Sequence, residues 1–96
     1  MTLDLNYEGF EDLLVKRRDH ELGGVQYLFR FKNNFGASVV KTPYSYGAKD
    51  DKWELAVIKW RGDDFDLEYD TEITDDVLGW LTDKDVQDLL RRIKEL

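Results

Sequence analysis

The stretch "GGVQYLFRFKNNFGASVVKT", residues 23–42, decides the fold. After its two glycines, apolar side chains occupy every second position from Val25 to Phe31, which is the period of a β-strand with one buried face. The segment "NNFG", residues 33–36, supplies Asn and Gly, which tolerate the positive φ of a tight turn, and β-branched residues follow it. The stretch therefore predicts a β-hairpin.

Two segments further along the chain also predict strands. In "KWELAVIKW", residues 52–60, apolar side chains occupy both odd and even positions, which is typical of a strand covered on both faces. The turn "RGDD" follows, and in "DFDLEYD" the apolar residues Phe65, Leu67 and Tyr69 alternate with acidic residues. With the hairpin, these segments predict an antiparallel meander of about four strands.

The amino-terminal segment "YEGFEDLLVKRRDHE", residues 7–21, predicts a short helix. Phe10, Leu13 and Leu14 have the spacing of one helical face. The acidic Glu11 and Asp12 lie early in the segment and basic residues 16–18 lie late, as the helix dipole favours. Apolar and polar residues alternate over residues 3–7, so a strand before this helix stays an alternative.

The carboxyl-terminal third predicts two helices. Thr74, followed by two acidic residues, is expected to cap a short helix over "VLGWL", residues 77–81. Thr82 is expected to begin a second helix, with acidic residues in its first turn and basic residues in its last. The apolar stripe of the second helix consists of Val86, Leu89, Leu90 and Ile93.

Together these elements predict a single α+β domain over residues 1–96. It has an N-terminal helix, an antiparallel β-meander of about four strands, and two short C-terminal helices packed on one sheet face. The expected core comprises Val25, Tyr27, Phe29, Phe31, Leu55, Val57, Phe65, Leu67, Leu89 and Ile93.

The composition narrows the class of protein. The chain has no cysteine, which excludes disulfides, a thiol nucleophile and cysteine zinc sites, and favours a reducing cytoplasm. Its first residues have neither a basic region nor a continuous apolar region of a secretory signal, and no run of about 18 apolar residues occurs. We therefore expect a cytoplasmic protein with no membrane partner.

Acidic residues are concentrated in one part of the chain. Residues 63–88 contain eleven acidic residues and one basic residue, whereas the remainder contains ten acidic and thirteen basic residues. In the predicted strand, alternate acidic side chains should point outward on one face and continue towards the next helix. This acidic row consists of Asp64, Asp66, Glu68, Asp70, Glu72, Asp75 and Asp76. It is either a solvated face that discourages edge aggregation or a partner-binding surface that mimics nucleic-acid phosphates.

The sequence lacks the usual motifs of catalytic and metal sites, which favours a protein that is not an enzyme. Acids alternate from Asp64 as in a calcium-binding loop, but Tyr69 replaces its required glycine and Asp75 its bidentate glutamate. His20 is the only histidine, neither serine lies in a nucleophile elbow, and no phosphate-binding glycine motif occurs. We expect no catalytic residue, no metal and no cofactor.

Aromatic residues define a second candidate surface. Aromatic and basic residues are interleaved in "YLFRFK", as in some RNA-binding sheets, but these aromatics are expected to form the core, so direct nucleic-acid binding is not expected. Tyr44 and Tyr46 instead lie in "TPYSYG", where Pro43 and Gly47 predict an exposed loop. Because tyrosine is enriched at interfaces, we interpret this segment as an aromatic contact loop.

Three segments carry a family resemblance: "GGVQYLFRFKNNFGASVVKTPYSYG", "KWELAVIKW" and "LEYDTEITDDVLGWLTDKDV". They resemble small accessory proteins encoded in tailed-phage genomes, over a span from Leu13 to Ile93, and "YSYG" and "YDTEITDDVLGWLT" are the most specific parts. The resemblance implies a phage or prophage setting. It implies no activity and assigns no catalytic or binding residue.

These observations lead to a functional hypothesis. The chain is expected to be a noncatalytic phage accessory protein that binds another protein in the host cytoplasm. The alternative is an acidic nucleic-acid mimic that inhibits a host restriction or CRISPR-type nuclease, in which case the partner is a nucleic-acid-binding enzyme. A homodimer stays open because Trp53 and Trp60 lie on opposite faces of one predicted strand.

Overall fold

The computed structural model describes residues 5, 7–19, 23–41, 52–67 and 78–96. The elements in chain order are a 3-10 turn (Glu11–Leu13), β1 (Leu14–Asp19), β2 (Val25–Arg30), β3 (Phe35–Lys41), β4 (Trp53–Arg61), β5 (Asp64–Leu67), β6 (Leu78–Leu81) and α1 (Asp83–Lys94). The described residues thus form an α+β fold with one helix and a six-stranded sheet, so the predicted meander of about four strands is wrong in its number of strands.

The sheet is antiparallel, with the strand order β1-β2-β3-β4-β5, and β6 also pairs with β4. Ile58 lies between Gly36 of β3 and Leu67 of β5, and Leu55 lies between Val39 of β3 and Leu78 of β6. Strands β5 and β6 therefore lie one after the other along the same edge of β4. Helix α1 packs on one face of this sheet, against β3, β4 and β6.

The predicted hairpin is confirmed as β2 and β3. Asn34 takes the positive φ of 68° in its turn, and the backbone N–H of Phe31 donates to the carbonyl oxygen of Phe35 at 2.8 Å. The Asn33 amide group donates to the carbonyl oxygens of Ile93 and Leu96, each at 3.0 Å. One turn residue thus joins the hairpin to the end of α1.

The main core lies between the sheet and α1. Its buried residues are Leu5, Phe10, Val25, Tyr27, Phe29, Phe31, Ala37, Val39, Trp53, Leu55, Val57, Val86, Leu90 and Ile93. A smaller cluster of Leu28, Ile58 and Trp60 lies on the opposite face of the sheet, which we call the second face, and Phe65 packs against it. The prediction that β4 is covered on both faces is confirmed, because Trp53 and Trp60 are both buried within this one chain.

Three of the ten predicted core residues are not fully buried. Leu67 is 50% exposed, although the alternation of β5 predicted it to point inward. Leu67 lies on the outer strand β5, opposite Ile58 of β4, and a side chain on an outer strand has neighbours on one side only. Phe65 and Leu89 are only partly buried. The other seven predicted core residues are buried.

The predicted N-terminal helix is wrong. Residues 11–13 form only a 3-10 turn, and the chain then continues as β1, which pairs with β2. Phe10, Leu13 and Leu14 nevertheless all contact the main core, as the helical spacing had indicated. The turn and a register shift between Leu14 and Lys16 direct them inward without a helix.

The first of the two predicted C-terminal helices is also wrong, since Leu78–Leu81 form β6, which pairs Leu78 with Leu55 and Leu81 with Trp53 of β4. Pairing with β6 satisfies backbone groups along this edge of β4, and this tertiary contact overrides the local helical preference. The expected cap Thr74 lies outside the described residues. The second predicted helix is confirmed as α1, where Thr82 and Asp85 form a capping box.

Candidate binding groove on the second face of the sheet

A groove of about 380 Å³ lies on the second face. Its floor includes the buried side chains of Leu28 and Trp60. Strand β1 lines one side with Val15, Lys16 and Arg18. The turn between β4 and β5 and the start of β5 line another side with Gly62 and the acidic residues Asp63 and Asp64. Since the described residues in this groove come from four strands and a turn, it exists only in the folded sheet. We call it the second-face groove.

Trp60 reaches the floor of the groove because β3 has no side chain at Gly36. The Trp60 indole Nε1 crosses β3 and donates to the carbonyl oxygen of Phe29 at 2.9 Å. A Cβ at Gly36 would stand 2.6 Å from that Nε1 and would collide with the Phe29 carbonyl oxygen. Glycine is thus required here for close approach, and the indole is held in one orientation.

Two further side chains hold Trp60 in place. The Phe65 ring packs against it with ring centroids 5.1 Å apart. The guanidinium of Arg30 lies 5.7 Å from the centroid of the indole and donates through Nη1 to the Gly62 carbonyl oxygen at 2.9 Å. A cation over an indole ring is attracted by the negative face of the ring. The floor of the groove is therefore a fixed aromatic surface with a positive charge on it.

The β1 side of the groove carries two more cations. Arg18 Nε donates to Gln26 Oε1 at 2.6 Å, and Gln26 Nε2 donates to Ser38 Oγ at 2.7 Å. This chain of hydrogen bonds crosses β1, β2 and β3, and satisfies the buried Gln26 and Ser38. Lys16 is exposed and forms no ion pair with the residues that the structure describes. Its exposed side chain lines the second-face groove.

Exposed apolar side chains occur at the sheet edges. In the described parts of the chain, the exposed large hydrophobic residues are Val15 in β1, Leu67 in β5 and Trp80 in β6, which are 52%, 50% and 60% exposed. Val15 occupies the register shift of β1 and lines the groove. Trp80 has a positive φ of 62°, a conformation that is strained for a bulky residue. An apolar edge residue thus borders the cationic side of the groove.

The predicted acidic row is described only at its start. Asp64 and Asp66 are exposed, and in the register of β5 they lie opposite Arg61 and Lys59 of β4, respectively. Asp66 also forms an ion pair with Arg61, with 3.0 Å between Oδ2 and Nε. These bases reduce the negative field of the two acids. The remaining members, Glu68, Asp70, Glu72, Asp75 and Asp76, lie outside the described residues, as do Tyr44 and Tyr46 of the aromatic contact loop.

The groove residues of β1 were not predicted as a site, because the segment was interpreted as a helix. Charged side chains on both faces of β1 hide the period of two that would have revealed a strand. Trp60 was noted for its apolar character, but its position over Gly36 depends on the register of β3 and β4. No sequence signal identified the neighbours that β1 brings to it.

The described residues indicate no metal centre. Across these ranges, no three His, Cys, Asp or Glu side chains converge closely enough to hold a metal ion. Hydrogen bonds from the Thr82 backbone N–H and hydroxyl hold the pKa of Asp85 below its usual value, which is a feature of the helix cap and lies outside the groove. No helix in the described part of the chain is long and apolar enough to cross a membrane. Comparison with known protein families, curated proteins and solved structures found no match to this chain.

Proposed function

We propose that the protein acts without catalysis, by binding another protein through the second-face groove. The observation that carries the proposal is the fixed aromatic floor, which lies between an apolar and cationic wall on β1 and an acidic wall at Asp63 and Asp64. Trp60 and Arg30 are held by the contacts described above, so little side-chain freedom is lost when a partner binds. Tryptophan and arginine are also the residue types that most often dominate binding free energy at protein interfaces.

The shape of the groove favours a protein segment over a small ligand. Ligand pockets usually bury most of the ligand surface. Here Val15 is half exposed and Lys16 is exposed, so a small molecule would keep much of its surface in water. A protein segment that continues along β1 gains further contacts beyond the groove.

The resemblance to phage accessory proteins suggests where the partner is found. In that setting the partner is a host or phage protein in the cytoplasm of the infected cell. The alternative function, an acidic mimic that inhibits a nuclease, receives no specific support from Asp64 and Asp66, because Arg61 and Lys59 lie opposite them. The five remaining members of the acidic row keep that alternative as a prediction.

Site-specific crosslinking tests the proposed function. A photoreactive phenylalanine analogue is placed at Val15, beside the groove, or at Lys84, an exposed position on α1, and each variant is irradiated in host lysate. We expect the Val15 variant to crosslink one protein that the Lys84 variant does not. That protein is then purified, and its Kd is measured for the unmodified chain and for two matched variants.

The matched variants are Lys16→Gln in the groove and Lys84→Gln on the helix. Lys16→Gln removes a groove cation and should raise the Kd for the purified partner by about tenfold. Lys84→Gln should bind with the Kd of the unmodified chain. Equal crosslinking at both positions, or equal Kd values for both variants, would contradict the proposed use of the groove. Thermal unfolding of all variants checks that each is folded.

A further inference from the structure

The second-face groove carries opposite charges on its two sides. Lys16 and Arg18 of β1 line the cationic side, and Asp63 and Asp64, in the turn and at the start of β5, line the acidic side. All four residues are exposed. Within the described ranges, Lys16 has no ion-pair partner, so it does not neutralise the acids across the groove. An occupant that both sides attract must therefore carry both signs of charge.

The acidic side keeps its negative charge in the folded protein. In the register of β5, Arg61 lies opposite Asp64, but its Nε pairs with Asp66 Oδ2 at 3.0 Å. Among the residues that the structure describes, Asp63 and Asp64 form no ion pair. Two carboxylates thus face a basic group of the occupant.

A third cation lies between the two sides, on the floor of the groove. The guanidinium of Arg30 lies 5.7 Å from the centroid of the Trp60 indole, and its hydrogen bond to the Gly62 carbonyl oxygen holds it there. A guanidinium stacks on aromatic rings and is attracted by their faces. An aromatic side chain of the occupant therefore gains both apolar contact with the floor and attraction to Arg30.

The distance between the two sides sets the length of the occupant. Strands β2, β3 and β4 separate β1 from β5, so the backbones of the two sides lie about 19 Å apart along the sheet, at about 4.8 Å per strand. In an extended chain, residues four positions apart are separated by about 14 Å, and alternate side chains share one face. Long charged side chains, such as that of Lys16, cover the remaining distance. Acidic, aromatic and basic residues at alternate positions thus fit the two sides and the floor.

We infer that the second-face groove selects an extended partner segment with the pattern acidic-x-aromatic-x-basic. Its carboxylate lies beside Lys16 and Arg18, and its aromatic ring lies against Arg30. Its basic group lies beside Asp63 and Asp64. This pattern of recognition rests on the proposed function and specifies the chemistry of the partner. The acidic side repels a segment with acids at both ends, and the cationic side repels one with bases at both ends, so segments of a single charge are rejected.

The shape of the groove favours such a segment over a second copy of this chain. Across a two-fold axis, Lys16 of one copy would also oppose Asp63 of the other. Two facing grooves would, however, enclose a void, whereas stable interfaces are packed as closely as protein interiors. A narrow extended segment fills the groove.

Short peptides with blocked ends test the pattern in NMR titrations of the full chain. The probe is Glu-Ala-Phe-Ala-Lys. Two controls carry Glu or Lys at both ends, and a third replaces Phe by Ser. We expect the probe to bind with a Kd at least about tenfold lower than that of each control, with a shift of the Trp60 indole signal. An equal Kd for the probe and for either single-charge control would overturn the inference.

Two charge-reversed variants connect the preference to the two sides of the groove. Lys16→Glu should shift the preference towards the peptide with two Lys residues, and Asp63→Lys towards the peptide with two Glu residues, each by at least about tenfold in the ratio of Kd values. Lys84→Glu, an exposed reversal on α1, should keep the preference of the unmodified chain. A misfolded variant would lose all peptides alike, so a changed preference reports the groove. An unchanged preference in both groove variants would overturn the inference.

The outcomes separate this pattern from the proposed function. If no peptide binds while the Val15 variant still crosslinks one protein, the pattern is wrong and the proposed function stands. If neither occurs, both fail. Self-association that is lost in Lys16→Glu and in Asp63→Lys, but restored when these two variants are mixed, would identify a second copy as the occupant and overturn the choice of a partner segment.

Discussion

Replacing Gly36 by alanine should destabilise the fold, because the added methyl group would be too close to atoms of Phe29 and Trp60. The new methyl group would stand 2.6 Å from Trp60 Nε1 and would collide with the Phe29 carbonyl oxygen. Both neighbours are fixed, one by the sheet ladder and the other by its hydrogen bond of 2.9 Å. Strands β2 and β3 must separate locally, because the collision with the Phe29 carbonyl oxygen remains even if the indole leaves the floor of the groove.

The magnitude follows from these two costs. Forcing a methyl group into a packed site costs about 1–3 kcal/mol, and losing the indole hydrogen bond costs about 0.5–1.5 kcal/mol. The expected loss is therefore about 1.5–4.5 kcal/mol, a large part of the roughly 5–15 kcal/mol that stabilises a domain. The result should be a less stable protein and a groove with a displaced floor.

Urea unfolding followed by circular dichroism measures this loss. With a slope of about 2 kcal/mol per molar urea, the midpoint should fall by about 1–2 M while the slope stays constant. A double-mutant cycle with Trp60→Phe isolates the indole contact, and the two changes should be coupled by at least about 0.5 kcal/mol. A Gly36→Ala loss below about 1 kcal/mol, or strict additivity with Trp60→Phe, would refute the proposed role of this glycine.

Three further predictions concern the core and the helix cap. Replacing Phe29, which is fully buried, by alanine should cost about 3–5 kcal/mol in chemical unfolding, and a loss near zero would contradict its place in the core. Thr82→Ala removes the capping box of α1 and should cost about 1 kcal/mol, measured as a lower urea midpoint; an unchanged midpoint would contradict the cap. Hydrogen bonds from Thr82 lower the pKa of Asp85 in the folded protein. The ionised Asp85 therefore stabilises the fold above about pH 4, and this contribution disappears as the pH falls through the folded pKa. Asp85→Asn should remove this contribution to the pH dependence of the unfolding free energy. Identical pH profiles for Asp85→Asn and the unmodified protein would contradict the role of this contact.

The elements predicted correctly are those with a strong local pattern. The alternation from Val25 to Phe31 predicted β2, and the Asn-rich turn predicted its hairpin with β3. The two-sided apolar pattern of residues 52–60 predicted a strand covered on both faces. The cap at Thr82 and the apolar stripe after it predicted α1. Each pattern is complete within a few residues, so it does not depend on distant partners.

Of the three edge strands, β5 was predicted, but β1 and β6 could not be predicted in this way. Phe10, Leu13 and Leu14 have helical spacing, yet a 3-10 turn and a register shift direct them into the same core. The residues of β6 form a strand because β4 offers them an unpaired edge, which is a property of a different part of the chain. Short edge strands depend on such pairing more than on their own preferences.

The groove likewise combines features that the local sequence predicts with features that only strand pairing produces. The sequence by itself determined that residues 33–36 would form a turn, that β4 would be apolar on both faces and that basic residues would follow Leu14. Only the tertiary structure decided that Gly36 would lie under the Trp60 indole and that Lys16 would border the same groove. The physical reason is that turns and apolar periods are local properties of the chain, whereas strand pairing and the approach of side chains across a sheet depend on the register between segments far apart in sequence.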